Sequence, residues 1–194
     1  MNLITIDPLK TALVLIDLQQ GVVGRPCAPH TAAEVVKNAS RLAEKFRSAG
    51  ATVALVCVAF QPDFKDFLSL PCDTPAPFNP ASLPANWAEY VPEVGPKAGD
   101  ILITKRQWGA FYGTELDLQL RRRGVRTIVI GGISTNIGVE STARNAYELG
   151  YAQVFVEDAM ASQSAEAHHF AVKNIFGRIG NVRTTEEVLA AFGP

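Results

Sequence analysis

The chain has 194 residues, and compact domains run to about 100–200, so a single domain spanning 1–194 is expected. Hydrophobic residues make up 47% and charged residues 19%, enough apolar material for a buried core and too little charge for a disordered polyelectrolyte. With 18 Lys and Arg against 19 Asp and Glu, the formal net charge of −1 removes the general electrostatic case for nucleic acid or an anionic membrane and leaves a small molecule as the expected partner.

Three cysteines, Cys27, Cys57 and Cys72, form neither a C-x-x-C pair nor an even set, which argues against a secreted disulfide framework and a four-ligand zinc site. A reducing, cytoplasmic setting is expected. Met1 to Lys10 carries Asp7 and Pro8 and lacks a basic stretch followed by an apolar one, so no export signal is read there. No apolar run reaches the roughly 18 residues of a membrane span.

Thr11 to Asp17 (TALVLID) is a continuous branched apolar run ending in a carboxylate, the pattern of a strand buried on both faces. From Thr31 to Ala49, Val35, Ala39, Leu42, Ala43 and Phe46 recur at helical spacing, with Gly50 placed for a left-handed cap. Further strands are predicted at Ala51 to Phe60, Ile101 to Lys105, Val125 to Gly131 and Ala152 to Glu157, with a weaker one at Ile179 to Arg183. Helices are predicted at Thr114 to Arg123, Asn136 to Leu149, Ser164 to Phe176, and from Thr185 onward. The alternation implies an α/β fold, a mostly parallel central sheet with helices on both faces, whose ligands bind at the carboxyl ends of the strands. Between Gln61 and Gly99 the pattern breaks: 8 of the 12 prolines fall there, with Phe64, Phe67, Phe78, Trp87 and Tyr90. So long an excursion reads as a lid or an oligomer contact.

Three strand ends bring a carboxylate (Asp17), an ammonium (Lys105) and a flexible turn (Gly131 to Ser134) to one rim. An acid and a lysine on an apolar floor tune each other's proton affinity, as general acid–base work requires. The following segment runs directly into a helix, so the N–H groups of Asn136 to Val139 are expected to be unpaired and aimed at the rim, fit to hold an oxyanion or carboxylate. Trp108, Phe111 and Tyr112 follow Lys105 and are candidate walls for a ring-shaped or apolar substrate, core packing being the alternative. Cys57 reads as a buried strand thiol, Cys27 and Cys72 as loop thiols. Arg121 to Arg123 read as complements to a helix dipole. His168 and His169 read as helix or surface residues rather than ligands.

IDLQQG around Asp17, TKRQWGAFYGTELDLQLRRRG around Lys105 and GGISTNIGVESTARNAYELGY together resemble the isochorismatase-like hydrolases, also called cysteine hydrolases, over nearly the whole chain. The resemblance implies a Rossmann-like, isochorismatase-like fold and a homo-oligomer. In the amidase members it puts the acid of an Asp–Lys–Cys triad at Asp17 and the lysine at Lys105, but position 138, where the cysteine belongs, is Gly138. Covalent amide hydrolysis therefore lacks its nucleophile. The resemblance also implies a cis peptide at Ile133-Ser134, and a Gln-Pro pair at Gln61-Pro62 that positions substrate. The isochorismatase branch implies vinyl-ether hydrolysis with Asp17 as the acid and no cysteine. Metal-binding amidase members place histidines after the second strand, where this chain has none, so neither metal nor cofactor is predicted.

The expected site is therefore Asp17, Lys105 and Gly138 for chemistry, with Gln61, Trp108, Phe111, Ile133, Ser134 and Asn136 around the substrate. The alternative is a catalytically silent member that keeps a small-molecule pocket. A serine hydrolase built from Ser134, Asp158 and His168 lacks the second glycine of a nucleophile elbow, Asn136 standing in its place. No G-x-G-x-x-G follows the first strand, so no dinucleotide site is read.

Overall fold

In a computed structural model, which describes residues 4–75, 79 and 82–193, the strands form one six-stranded parallel sheet in the order β3-β2-β1-β4-β5-β6. The strands are β1 (Thr11–Ile16), β2 (Thr52–Val58), β3 (Ile101–Lys105), β4 (Thr127–Ile133), β5 (Ala152–Ala161) and β6 (Asn181–Arg183). The chain winds outward from β1 to β3, returns to the middle, and winds outward again from β4. The switch in direction lies between β1 and β4, where such sheets open a crevice at the strand ends.

Every residue of β1 is buried, because helices cover both of its faces. On one face, Leu13 and Leu15 meet Val35, Ala39, Leu42 and Phe46 of α2 (Ala32–Ser48) and Val188 of α6 (Thr185–Ala190). On the other, Ala12, Val14 and Ile16 meet Leu116 and Leu120 of α3 (Leu116–Arg122), Ala143 and Ala146 of α4 (Glu140–Glu148) and Ala171 of α5 (Ala165–Ala171). The period-2 alternation of β1 thus divides the core into two layers. Helix α2 follows its sequence signals: Thr31 and Glu34 form a capping box, and Gly50 takes φ +71° just past the end.

Several boundaries differ from the sequence reading. Strand β4 runs two residues further, through Gly132 and Ile133, because those glycines admit a backbone approach no side chain would: a Cβ on Gly132 would lie 2.1 Å from the Ile16 carbonyl oxygen. Gly132 also has φ +127°. Strand β5 extends to Ala161 through a bulge, the register slipping between Ile130 and Gly132. The predicted helix from Asn136 opens instead with a π-helical turn, Thr135–Val139, before α4; the predicted helix ending at Phe176 closes on another, Val172–Phe176.

The long excursion is corrected in part. Its later portion is anchored to the core: Val91 and Val94 are buried, the Tyr90 hydroxyl donates to the Leu55 carbonyl at 3.0 Å, and the Trp87 indole N–H donates to the Val58 carbonyl at 3.1 Å. The segment is strapped along Leu18 to Gly21, at the start of the short helix α1 (Gln20–Val23), by Gln20 N–H to Glu89, Gly21 N–H to Trp87 and Val91 N–H to Leu18. Phe78, read as part of the excursion's packing, lies outside the described residues. No helix among the described residues is long and apolar enough to cross a membrane.

Candidate active site

Asp17 leaves β1 with φ +54°, a left-handed conformation that Asp tolerates better than most side chains. Its N–H still donates to the Val56 carbonyl at 2.9 Å, so the carboxylate is fixed at the strand end. Lys105 closes β3, two strand positions away, beyond β2. Neighbouring strands are about 4.8 Å apart, so only a long side chain spans that gap. The Lys105 ammonium arrives 2.8 Å from Asp17 Oδ2 and donates a second hydrogen bond, 2.7 Å, to the Trp108 carbonyl.

Both groups are buried, Lys105 at 2% and Asp17 at 6% exposure. Burial pushes the Asp17 carboxyl up to about 6; the Lys105 charge and its hydrogen bond pull the other way without cancelling the effect. Asp17 Oδ1 is buried and has no hydrogen-bond partner among the described residues.

Gly138, in the turn after β4, completes the constellation. A Cβ there would stand 3.2 Å from Asp17 Oδ2, 3.3 Å from Lys105 Nζ and 3.1 Å from the Ile16 Cγ2 methyl. The acid, the ammonium and the sulfur-free bend, far apart in sequence, therefore meet. The Ile133-Ser134 peptide is cis.

The surrounding positions divide. Trp108 and Tyr112 are exposed, whereas Phe111 is core, stacked on Tyr151 at 5.8 Å, and is no substrate wall. Asn136 turns its amide oxygen to the Ser162 hydroxyl and lines a cleft with Glu140, Ser164 and Phe170 that contains none of Asp17, Lys105 and Gly138. Gln61 is exposed; its N–H donates to Asp66, which in turn binds Arg106, the neighbour of Lys105. The expectation of unpaired amides from Asn136 to Val139 is corrected at two positions, since Ile137 and Val139 both donate to the Ser134 carbonyl, at 3.1 and 3.2 Å. The wide turn closes those two N–H groups inward. Cys57 is buried beside Thr104, as expected of a strand thiol. The Ser134–Asp158–His168 alternative is not assembled, because Asp158 accepts from the N–H and hydroxyl of Thr185.

Sequence reasoning passed over Gln19 and did not foresee the burial of His168. Gln19 is fully buried and its amide ties the Val58 N–H and carbonyl to the Trp87 carbonyl, locking the strap over the ends of β1 and β2. His168, read as a helix or surface residue, is also fully buried. Its Nδ1 lies 2.9 Å from the Thr135 hydroxyl and its Nε2 3.3 Å from Glu157 Oε1, which His30 Nε2 approaches at 3.1 Å. These contacts hold the Glu157 carboxylate down at about 2 against its burial. His30, Glu157 and His168 are widely separated in sequence, and no local spacing announces them.

The comparisons agree with this architecture. The isochorismatase domain model matches residues 11–187. The isochorismatase family protein YwoC of Bacillus subtilis (strain 168) is 53% identical over 189 residues, 97% of each chain. An isochorismatase family protein from Burkholderia thailandensis superposes with a TM-score of 0.92 at 44% identity, covering 98% of both chains. The ureidoacrylate amidohydrolase RutB of Variovorax paradoxus (strain S110) is 38% identical over 107 residues, 55% of this chain and 42% of that one. The chain belongs to the isochorismatase family.

Proposed function

We propose that the protein is a hydrolase of a small, carboxylate-bearing vinyl ether of the isochorismate type, with Asp17 as its proton donor. The observation that carries this reading is the Asp17 carboxyl: one oxygen is held by Lys105, the other is buried without a partner among the described residues, and burial raises its pKa to about 6. A carboxyl so tuned is half protonated near pH 6 and can still be refilled at neutrality. Asp17 gives its proton to the terminal enol carbon, and the resulting oxocarbenium ion takes up water. The hemiketal collapses, expelling the alcohol, and the proton released on water addition returns to Asp17. The products are a 2-oxo acid and the alcohol. Lys105 fixes the carboxyl through Oδ2 and so sets the direction in which the free oxygen faces.

The match to RutB raises amide hydrolysis, which in cysteine hydrolases calls for a thiol where this chain has Gly138. The vinyl-ether route needs none. A catalytically silent, small-molecule-binding protein is the second reading, favoured by the close covering of Asp17 and Lys105. The same family reading carries a cytoplasmic setting and a homo-oligomer, the latter supported by the exposed Trp108 and Tyr112 beside the rim. Turnover of isochorismate by the wild type and by Asp17→Asn decides between the readings. Positioned acid catalysis contributes about 10²–10⁴-fold, so the variant is expected to lose at least a hundredfold in kcat. Equal turnover by both proteins, or none by the wild type, overturns the catalytic assignment.

A further inference from the structure

Among the described residues outside the Asp17–Lys105 pair, one constellation combines metal-ligating side chains, partial solvent access and fixed geometry. We propose that His30, Glu157 and His168 bind a divalent transition-metal ion of the Zn²⁺ class, with at least one coordination position left open. Their candidate ligand atoms all lie within 4.8 Å of one another. Both imidazole Nε2 atoms converge on Glu157 Oε1, at 3.1 and 3.3 Å. Ligands about 2.0–2.1 Å from a tetrahedral ion stand about 3.3 Å apart, so an ion can enter between these atoms with little movement of their carriers. Two imidazoles and one carboxylate suit zinc and its neighbours better than the hard, oxygen-seeking cations.

Three rigid supports hold the set. His30 is pinned from both sides: Ala28 exchanges backbone hydrogen bonds with Ser162 at 2.7 and 2.9 Å, and Thr31 opens α2 with its capping box. Glu157 projects from the β5 bulge. His168 sits on α5, whose N-cap is Ser164, and its remaining ring nitrogen is engaged by the Thr135 hydroxyl. Metal-bound histidines characteristically have that second nitrogen oriented by such a partner. The side chains of His30 and Glu157 are 27% and 29% exposed while His168 is sealed, so the ion enters from the His30 side.

This site lies on the β5 side of the rim and is separate from the proton-donating pair, although Thr135 joins the two. The same residue that braces His168 begins the turn carrying Gly138, so an ion here stiffens that turn without touching Asp17.

The test uses the full chain, stripped with a chelator and titrated calorimetrically with Zn²⁺, then with Co²⁺ for its visible spectrum. Expected are one ion per chain, a rise in Tm on Zn²⁺ addition, and a Co²⁺ spectrum without the intense near-ultraviolet band of a thiolate ligand. Removing buried His168 opens the core, so the leading variants are His30→Ala and Glu157→Gln, each expected to weaken binding at least tenfold. His169→Ala, at the exposed neighbouring position, is expected to leave the affinity unchanged. Failure of the wild type to take up a stoichiometric ion overturns the proposal. So does uptake that survives His30→Ala undiminished, or a thiolate band.

Discussion

Replacing Lys105 by Met keeps most of the stem's volume and removes the charge, so it isolates what the ammonium does for a buried carboxylate. In the wild type, Asp17 titrates at about 6 in the folded chain against 3.8 in the unfolded reference, even with Lys105 at 2.8 Å. At about 1.4 kcal/mol per pH unit, ionising Asp17 in place costs the fold about 3 kcal/mol relative to the unfolded chain. The sign follows from proton counts. Between these two values the folded state binds more protons than the unfolded state, so this group's contribution to stability falls as pH rises through 6 and is fully relieved below about 4. Without Lys105 the burial penalty stands unopposed, and the folded Asp17 value rises further. Breaking one partner from a buried pair costs about 3–5 kcal/mol. For Lys105→Met that loss is expected near pH 8, corresponding to a Tm drop of about 6–20 °C for a domain of this size. Near pH 4.5 the orphaned carboxyl is protonated and only the lost bond to the Trp108 carbonyl remains, about 1 kcal/mol. Urea denaturation of both proteins from pH 4.5 to 8 measures the difference. A loss that is constant with pH, or larger in acid, refutes the reasoning.

Gly138→Cys is expected to place a thiol against the Lys105 ammonium and lower its pKa below the usual 8.5, seen as alkylation at position 138 that persists at pH 7; a thiol of ordinary reactivity contradicts the geometry. Its Cβ requires the Ile16 methyl to give by a few tenths of an ångström, so a small stability loss is expected alongside. Gly21→Ala drives a methyl to within 2.0 Å of the Trp87 ring and displaces the strap, with an expected cost of about 2–3 kcal/mol and a Tm lower by about 4–12 °C; an unchanged Tm would show that Trp87 is not seated there. Gly132→Ala combines φ +127° with a backbone collision and is expected to abolish the fold, checked by the loss of cooperative thermal unfolding.

What the sequence disclosed followed local rules. The uninterrupted apolar run of β1, the Thr31 to Gly50 helix signals and the strand-end positions of Asp17 and Lys105 each reflect a pattern contained in a few consecutive residues. The departures were set by distant partners. Strand β4 continues through Gly131-Gly132 because the Ile16 backbone lies against it, which no propensity at the glycines themselves records. Trp87 to Val94 belongs to the proline-broken excursion that reads as a lid or an oligomer contact, yet hydrogen bonds to Leu18, Gln19 and Val58 strap the segment to the core, with Val91 and Val94 buried. His168 looked peripheral beside His169, and the difference between them is which face of α5 meets Thr135 and Glu157. The π-helical turn pairs the Ile137 amide, which an ordinary helix start leaves open, through a bond to the Ser134 carbonyl.

A proton delivered by Asp17, from a carboxyl raised by burial to about 6, leaves its mark on kcat/KM for isochorismate measured from pH 5 to 8. A plateau in acid and a decline approaching tenfold per unit above pH 6 are expected. A flat profile, or one that rises with pH, rules out Asp17 as the proton donor.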